Sequence, residues 1–166
     1  MIDSHILVLG GGQIGCRIAE DLLAEAPETR DVGFIDGSRT AVERATAAGI
    51  DAVCIPVDGS GSSVVEAASG VDVAILVTGS DSTNLLLSQR LRMQVPDATV
   101  VVVIDDPRNR EVFETLGVEV VCTAKTVSAA VRHQTPGFGA AEATAGGSEC
   151  GSAPVDGNGV DDSRGI

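Results

Sequence analysis

Apolar residues come in six short bursts over the first 122 residues, at positions 5–9, 32–36, 52–57, 71–77, 99–104 and 118–122. Val and Ile dominate them, and most show no alternation with polar residues. A strand wet on one face alternates; an unbroken apolar run of strand length marks a parallel sheet covered on both faces. Helix-like stretches lie around and between the bursts, at 13–26, 39–48, 62–69, 82–93, 108–116 and 123–133. Their apolar residues return at three- and four-residue spacing, as in Ile14, Ile18, Leu22 and Leu23, or Val127, Ala130 and Val131. Gly49 and Gly117 each follow a helical stretch, where a left-handed cap belongs, and Ser82 or Asp81 is placed to cap the fourth helix.

Strict strand–helix alternation with short connections predicts an α/β fold. The expected form is a doubly wound, Rossmann-like parallel sheet of about six strands with helices on both faces. Right-handed crossovers then bring the loop after the first strand to a carboxyl edge of that sheet. The pattern stops near residue 134. Residues 135–166 are rich in Gly, Ser, Ala and Asp and have no apolar stripe, so they bury too little to offset their ordering entropy. The expected organisation is one domain over 1–134 and a disordered acidic tail over 135–166.

Composition narrows the function. Aromatics make up 2% of the chain, with no Trp or Tyr, so the core is aliphatic and no base-stacking platform is available. The formal charge is −13, from 24 acidic and 11 basic residues, and Lys125 is the sole Lys. Such a surface repels nucleic acid. It also suits a halophilic cytoplasm, where molar salt shortens the Debye length to about 3 Å and crowded carboxylates repel less. No apolar run approaches the roughly 20 residues of a membrane helix, and the N-terminus lacks a secretory basic region. A cytoplasmic protein without direct membrane insertion is expected. Cys16, Cys54, Cys122 and Cys150 are too dispersed for a metal motif, as are His5 and His133, so no metal site is expected. Cys54 and Cys122 read as small core residues, and Cys150 as an exposed thiol of the tail.

The chemistry gathers in "ILVLGGGQIGCRIAEDL". Gly10, Gly12 and Gly15 match G-x-G-x-x-G directly after a strand and at the opening of a helix. The first glycine permits a tight turn, the second lets a pyrophosphate approach the helix N-terminus, and the third lets helix and strand lie close. Asp36 ends the second strand about 20 residues further on, where a carboxylate takes both ribose hydroxyls. It would repel a 2′-phosphate, which disfavours NADP, although Arg39 nearby is a phosphate-type partner. NAD(H) and ATP or ADP both present an unmodified ribose and stay open. Asp58 after the third strand is either an adenine-side group or a turn residue. Thr78 and Gly79 after the fourth either approach the ligand or form a simple turn.

This loop, with "DVAILVTGSDSTNLLLSQRLR" and "DDPRNREVFETLGVEVVCTAKTVSAAV", resembles the RCK or KTN domain, also called the TrkA N-terminal domain, over residues 4–134. The acidic-then-Asn pattern at Asp81 and Asn84 is part of the likeness. The chain departs from it at Val103, where the family often has a basic residue. The resemblance implies a regulatory subunit that binds NAD(H), ATP or ADP and acts on a separate membrane potassium transporter or channel. The implied ligand residues are Gly10, Gly12, Gln13, Ile14 and Gly15 at the phosphates, Asp36 at the ribose, Asp58 on the adenine side, and Thr78 and Gly79 near the rest. Pairing into a homodimer or higher homo-oligomer through the sixth strand and last helix is implied too, as is a peripheral place at the inner face of the membrane.

An enzyme reading competes. A small NAD-dependent oxidoreductase subunit would use the same loop, but a dehydrogenase needs a second site, and the nucleotide fold consumes nearly all the foldable chain. His5 and His133 are poor proton carriers. There is no Tyr, no GxSxG elbow and no P-loop lysine. A third reading is a lobe that has lost its ligand and serves only to dimerise. The regulatory reading, with no catalytic residues, leads.

Overall fold

The computed structural model describes residues 6–25, 31–59 and 62–135. Its elements in chain order are β1 (Ile6–Leu9), α1 (Gly12–Glu25), β2 (Val32–Asp36), α2 (Arg39–Ala47), β3 (Asp51–Cys54), α3 (Ser62–Ala67), β4 (Val73–Leu76), α4 (Asp81–Gln94), β5 (Thr99–Ile104), a 3-10 turn (Pro107–Asn109), α5 (Arg110–Thr115), β6 (Glu119–Cys122) and α6 (Thr123–Gln134). All six strands are parallel, in the order β3-β2-β1-β4-β5-β6. The order reverses between β1 and β4, so the fold is the doubly wound, Rossmann-like one that the sequence predicts.

The side-chain period of two divides each strand between two cores. On one face Val8 and Phe34 meet Cys16 and Ala19 of α1 and Ala41 and Ala45 of α2. On the other, Leu7, Leu9, Ile35, Val100, Val102 and Ile104 meet Val64, Val65, Leu87, Leu91 and Phe113 of α3, α4 and α5. β1 and β2 are buried along their whole length, which explains their unbroken apolar sequence. The edge strands β3 and β6 are largely exposed.

Several local expectations need correction. Cys54 is exposed rather than a core residue, because β3 is an edge strand; Cys122 is buried. The helix of α4 is capped by Ser80, whose hydroxyl accepts from Thr83 N–H, and neither Asp81 nor Ser82 fills that role. Ile14 leaves the buried stripe of α1, which runs through Gly15, Cys16 and Ala19 instead. β3 ends at Cys54, three residues before the expected 57, and residues 55–57 turn toward the carboxyl edge. Gly49 and Gly117 hold the positive φ expected of caps, at 86° and 69°. His5, Cys150 and the predicted tail beyond Thr135 lie outside the described residues.

Candidate functional site

A crevice of about 600 Å³ opens where the strand order reverses. That is the place where open α/β sheets bind ligands, and the volume is that of a small-molecule site. Its floor is the turn from β1 into α1. Gly10, Gly11 and Gly12 all have positive φ, at 76°, 86° and 52°. A Cβ on Gly12 would meet nothing within 4 Å, so this side of the loop faces open space. A Cβ on Gly15 would collide with the Gly10 carbonyl and come within 3.1 Å of the Phe34 ring. Gly15 therefore lets α1 lie against the β1 turn and β2. The axis of α1 brings the positive end of its dipole to the loop.

Asp36 is buried at 6% exposure and turned toward the loop. Its Oδ2 accepts from Gly12 N–H at 2.7 Å, and its Oδ1 from Ser38 N–H at 2.6 Å. A carboxylate offers about four acceptor positions, and two of Asp36's are occupied by these amides. The carboxylate thus ties β2 to the glycine turn and keeps acceptor capacity at the crevice, where it lines the wall. Ser38 in turn caps α2 through its hydroxyl, which accepts from Ala41 N–H.

The far wall is held by the first turns of α4. Asn84 is fully buried. Its Oδ1 accepts from Thr78 N–H at 3.3 Å and from Thr78 Oγ1 at 2.7 Å, and its Nδ2 donates to the Val103 carbonyl at 2.8 Å. It pins the ends of β4 and β5 at their spacing. Asp81 accepts from the N–H groups of Asp105 and Asp106 and from Asn109 Nδ2 at 2.7 Å, fixing the loop after β5.

Of the ten residues singled out in the sequence, Gly10, Gly12, Ile14, Asp36, Asp58, Thr78 and Gly79 line the crevice. Gly15 lies beneath it as a packing residue. Gln13 points away, and its Oε1 accepts from Arg44 at 3.0 Å. Arg39 is exposed at the start of α2 and does not line the cavity. The structure adds Gly11, Gly37, Pro56, Val57, Val77, Val103, Asp105 and Thr123 to the lining. Asp105 and Thr123 follow β5 and β6 as Asp36 follows the body of β2, at carboxyl ends. That rule applied to every strand would have found them. Among the described residues no cluster of His, Cys, Asp or Glu could hold a metal ion.

Behind the loop, Arg44 donates to both Glu20 carboxylate oxygens, at 2.9 and 3.0 Å, joining α2 to α1. The Arg44 hydrogen bonds hold the Glu20 carboxyl below the usual range, and Glu20 in turn raises Arg44. Burial, and then the neighbouring Glu20 charge, pushes the Cys16 thiol up, so it stays protonated.

A doubly wound parallel sheet with a glycine turn and a strand-end carboxylate at its switch point defines a Rossmann-type lobe. Within that class the assignment is specific: the family model of the TrkA-N domain matches residues 6–124, and the chain belongs to that family. Among solved structures it is similar to the NAD(P)-binding domain of an exopolyphosphatase-related protein from Archaeoglobus fulgidus, at 25% identity and a TM-score of 0.66, covering 79% of this chain and 96% of that one. It is also similar to the TrkA-N domain of the inner membrane protein YbaL from Escherichia coli, at 20% identity and a TM-score of 0.68, covering 78% and 95%. The GsuK RCK domain matches at 22% identity and a TM-score of 0.59, over 76% of this chain and 26% of that one. No curated protein matches the sequence.

Proposed function

We propose that this chain is a regulatory lobe that binds NAD(H) in the switch-point crevice and controls potassium movement through a separate membrane transporter or channel. Membership of the TrkA-N family supports the regulatory role. The observation that carries the nucleotide reading is Asp36, buried against the glycine turn with acceptor capacity left at the cavity. NAD(H) is favoured over ATP or ADP on two grounds. The lining runs from Pro56 beyond β3 to Thr123 beyond β6, so both halves of a dinucleotide find walls. Among the described residues no Lys or Arg lines the cavity to meet a triphosphate. NADP is disfavoured by the Asp36 charge where its extra phosphate would fall. The ionisable groups among the described lining residues are the carboxylates Asp36, Asp58 and Asp105.

The working unit in this reading is a homodimer built on β6 and α6. None of the 12 residues of α6 is buried, and a helix of that length is marginal alone in water. Val127 and Val131, one turn apart, are 60% and 56% exposed. Val121 of β6, 43% exposed, shares a sheet face with its register partner Val103. A second copy covering these groups accounts for both features. No helix among the described residues is long and apolar enough to cross a membrane; in this reading the lobe meets the transporter at its cytoplasmic face. A surface with 24 acidic and 11 basic residues is suited to a saline cytoplasm.

Calorimetric titration of the full chain with NAD⁺, NADH, ATP and ADP, in low salt and in molar salt, tests the reading. The dinucleotides bind most tightly, and Asp36→Ala weakens them at least about tenfold through loss of charge-assisted hydrogen bonds. Binding of none of the four would remove the proposal. Binding that ignores Asp36→Ala would move the ribose elsewhere.

A further inference from the structure

The crevice is unequal in charge along its length. Its ionisable lining groups are Asp36, Asp58 and Asp105. The first two stand by β2 and β3, on the adenosine side. Asp105 is the carboxylate of the opposite wall, immediately after β5. Its position is fixed from both sides. Its N–H donates to Asp81 Oδ1 at 3.0 Å, and its Oδ1 accepts from Thr123 Oγ1 at 2.6 Å. Thr123, itself a lining residue, shares its single hydroxyl proton between that carboxylate and the Ile104 carbonyl, 3.1 Å away. Among the described residues no Arg, Lys or His forms an ion pair with the Asp105 carboxylate.

A dinucleotide whose ribose sits at Asp36 extends its second half across β1 and β4 toward β5. Three interstrand steps of about 4.8 Å make roughly 14 Å. Val103, Asp105 and Thr123 are the residues that would meet a nicotinamide ring at that end of the crevice. The oxidised ring carries a positive charge and the reduced ring is neutral, while the rest of the molecule is the same in both. A charge placed at the ring is the feature of this site able to tell them apart. Asp36 and Asp58, on the far side of the phosphates, lie about a Debye length or more away and act on both forms alike.

We infer that Asp105 is a specificity-determining residue, which makes this crevice favour the oxidised dinucleotide, with its cationic ring, over the reduced one. The inference rests on the dinucleotide reading given above. Asp105 is exposed to solvent, so its carboxylate near a ring corresponds to a preference of about threefold to fivefold. The preference shrinks in molar salt, because the crevice is open to ions.

The test is titration of the full chain with NAD⁺, NADH and ADP-ribose, for the wild type, Asp105→Asn and Asp58→Asn. The asparagine at 105 keeps an oxygen to accept from Thr123, so the wall is preserved and the charge removed. The wild type binds NAD⁺ about threefold to fivefold more tightly than NADH. Asp105→Asn brings the ratio to about one, chiefly by weakening NAD⁺, and Asp58→Asn leaves it within about twofold. ADP-ribose lacks the ring, so it binds the wild type no more tightly than NADH does; this arm is independent of how well the variants fold. Equal wild-type affinities, a preference for NADH, ADP-ribose binding as tightly as NAD⁺, or a ratio unmoved by Asp105→Asn would each overturn the inference while leaving the dinucleotide reading intact. A wild type that binds neither dinucleotide defeats the reading itself, and the inference with it.

Discussion

Asn84 shows what a single residue does in this molecule. A fully buried amide serves two strands at once, accepting from the Thr78 N–H and hydroxyl and donating to the Val103 carbonyl. Truncation removes the partner of the Val103 carbonyl and of the Thr78 N–H, while the Thr78 hydroxyl keeps the Ser80 carbonyl at 3.3 Å; a buried group left unpaired costs roughly 1–3 kcal/mol. Asn84→Ala is expected to lower the unfolding free energy by about 2–4 kcal/mol in urea titration, since relaxation and new partners recover part of the sum. Asn84→Asp keeps the acceptor but sets a carboxylate oxygen against the Val103 carbonyl at a fully buried position, and should destabilise at least as much as Asn84→Ala at neutral pH. Sequence spacing could not reveal this role. Gly10, Gly12, Gly15 and Asp36 were legible because a turn with positive φ and a close helix approach restrict the residue type locally. Asn84, Asp81 and Asp105 act across strands that are adjacent only after folding, and a polar residue near a helix start reads the same whether it caps that helix or clamps its neighbours.

At the scale of elements, strand number and fold class were legible because a doubly covered parallel sheet leaves unbroken Val and Ile runs. Edge position was not: β3 reads like an interior strand, and only the sheet order exposes Cys54. The periodicity of α1 places Ile14 on the buried stripe, yet it is 68% exposed and lines the crevice because the helix starts at the cavity. The junction of α1 and α2 depends on the Arg44–Glu20 pair. The folded carboxyl of Glu20 lies below its ordinary value because Arg44 donates to it. A depressed carboxylate stabilises fully above the unfolded value, about 4.3, and that contribution is lost as pH falls through the lower folded value. The melting temperature of the wild type should therefore exceed that of Glu20→Gln at neutral pH, by a small amount for so exposed a pair. The two should converge as the pH falls below the lowered folded value of Glu20. A gap that persists in acid would show that the pair contributes through packing rather than charge.

For the whole molecule, the described lobe supplies a crevice and an uncovered helix, and both are needed for the function proposed. If two copies meet through α6, like charges placed at its exposed valines face each other across the two-fold axis. Val127→Asp combined with Val131→Asp should convert the dimer into a monomer in sedimentation velocity, with helical circular dichroism of the lobe largely retained. An unchanged sedimentation coefficient would place the pairing surface elsewhere.

The passage from β6 to α6 has no loop in it: Cys122 ends the strand and Thr123 opens the helix. The same Thr123 touches Asp105 in the crevice wall. At 1.5 Å per residue, α6 is a rod of roughly 18 Å rooted at the cavity, so a tilt of about 10° at its base carries its tip about 3 Å. In the dimer proposed above, leverage of that kind would turn a sub-ångström change at the crevice wall into a displacement at the subunit boundary.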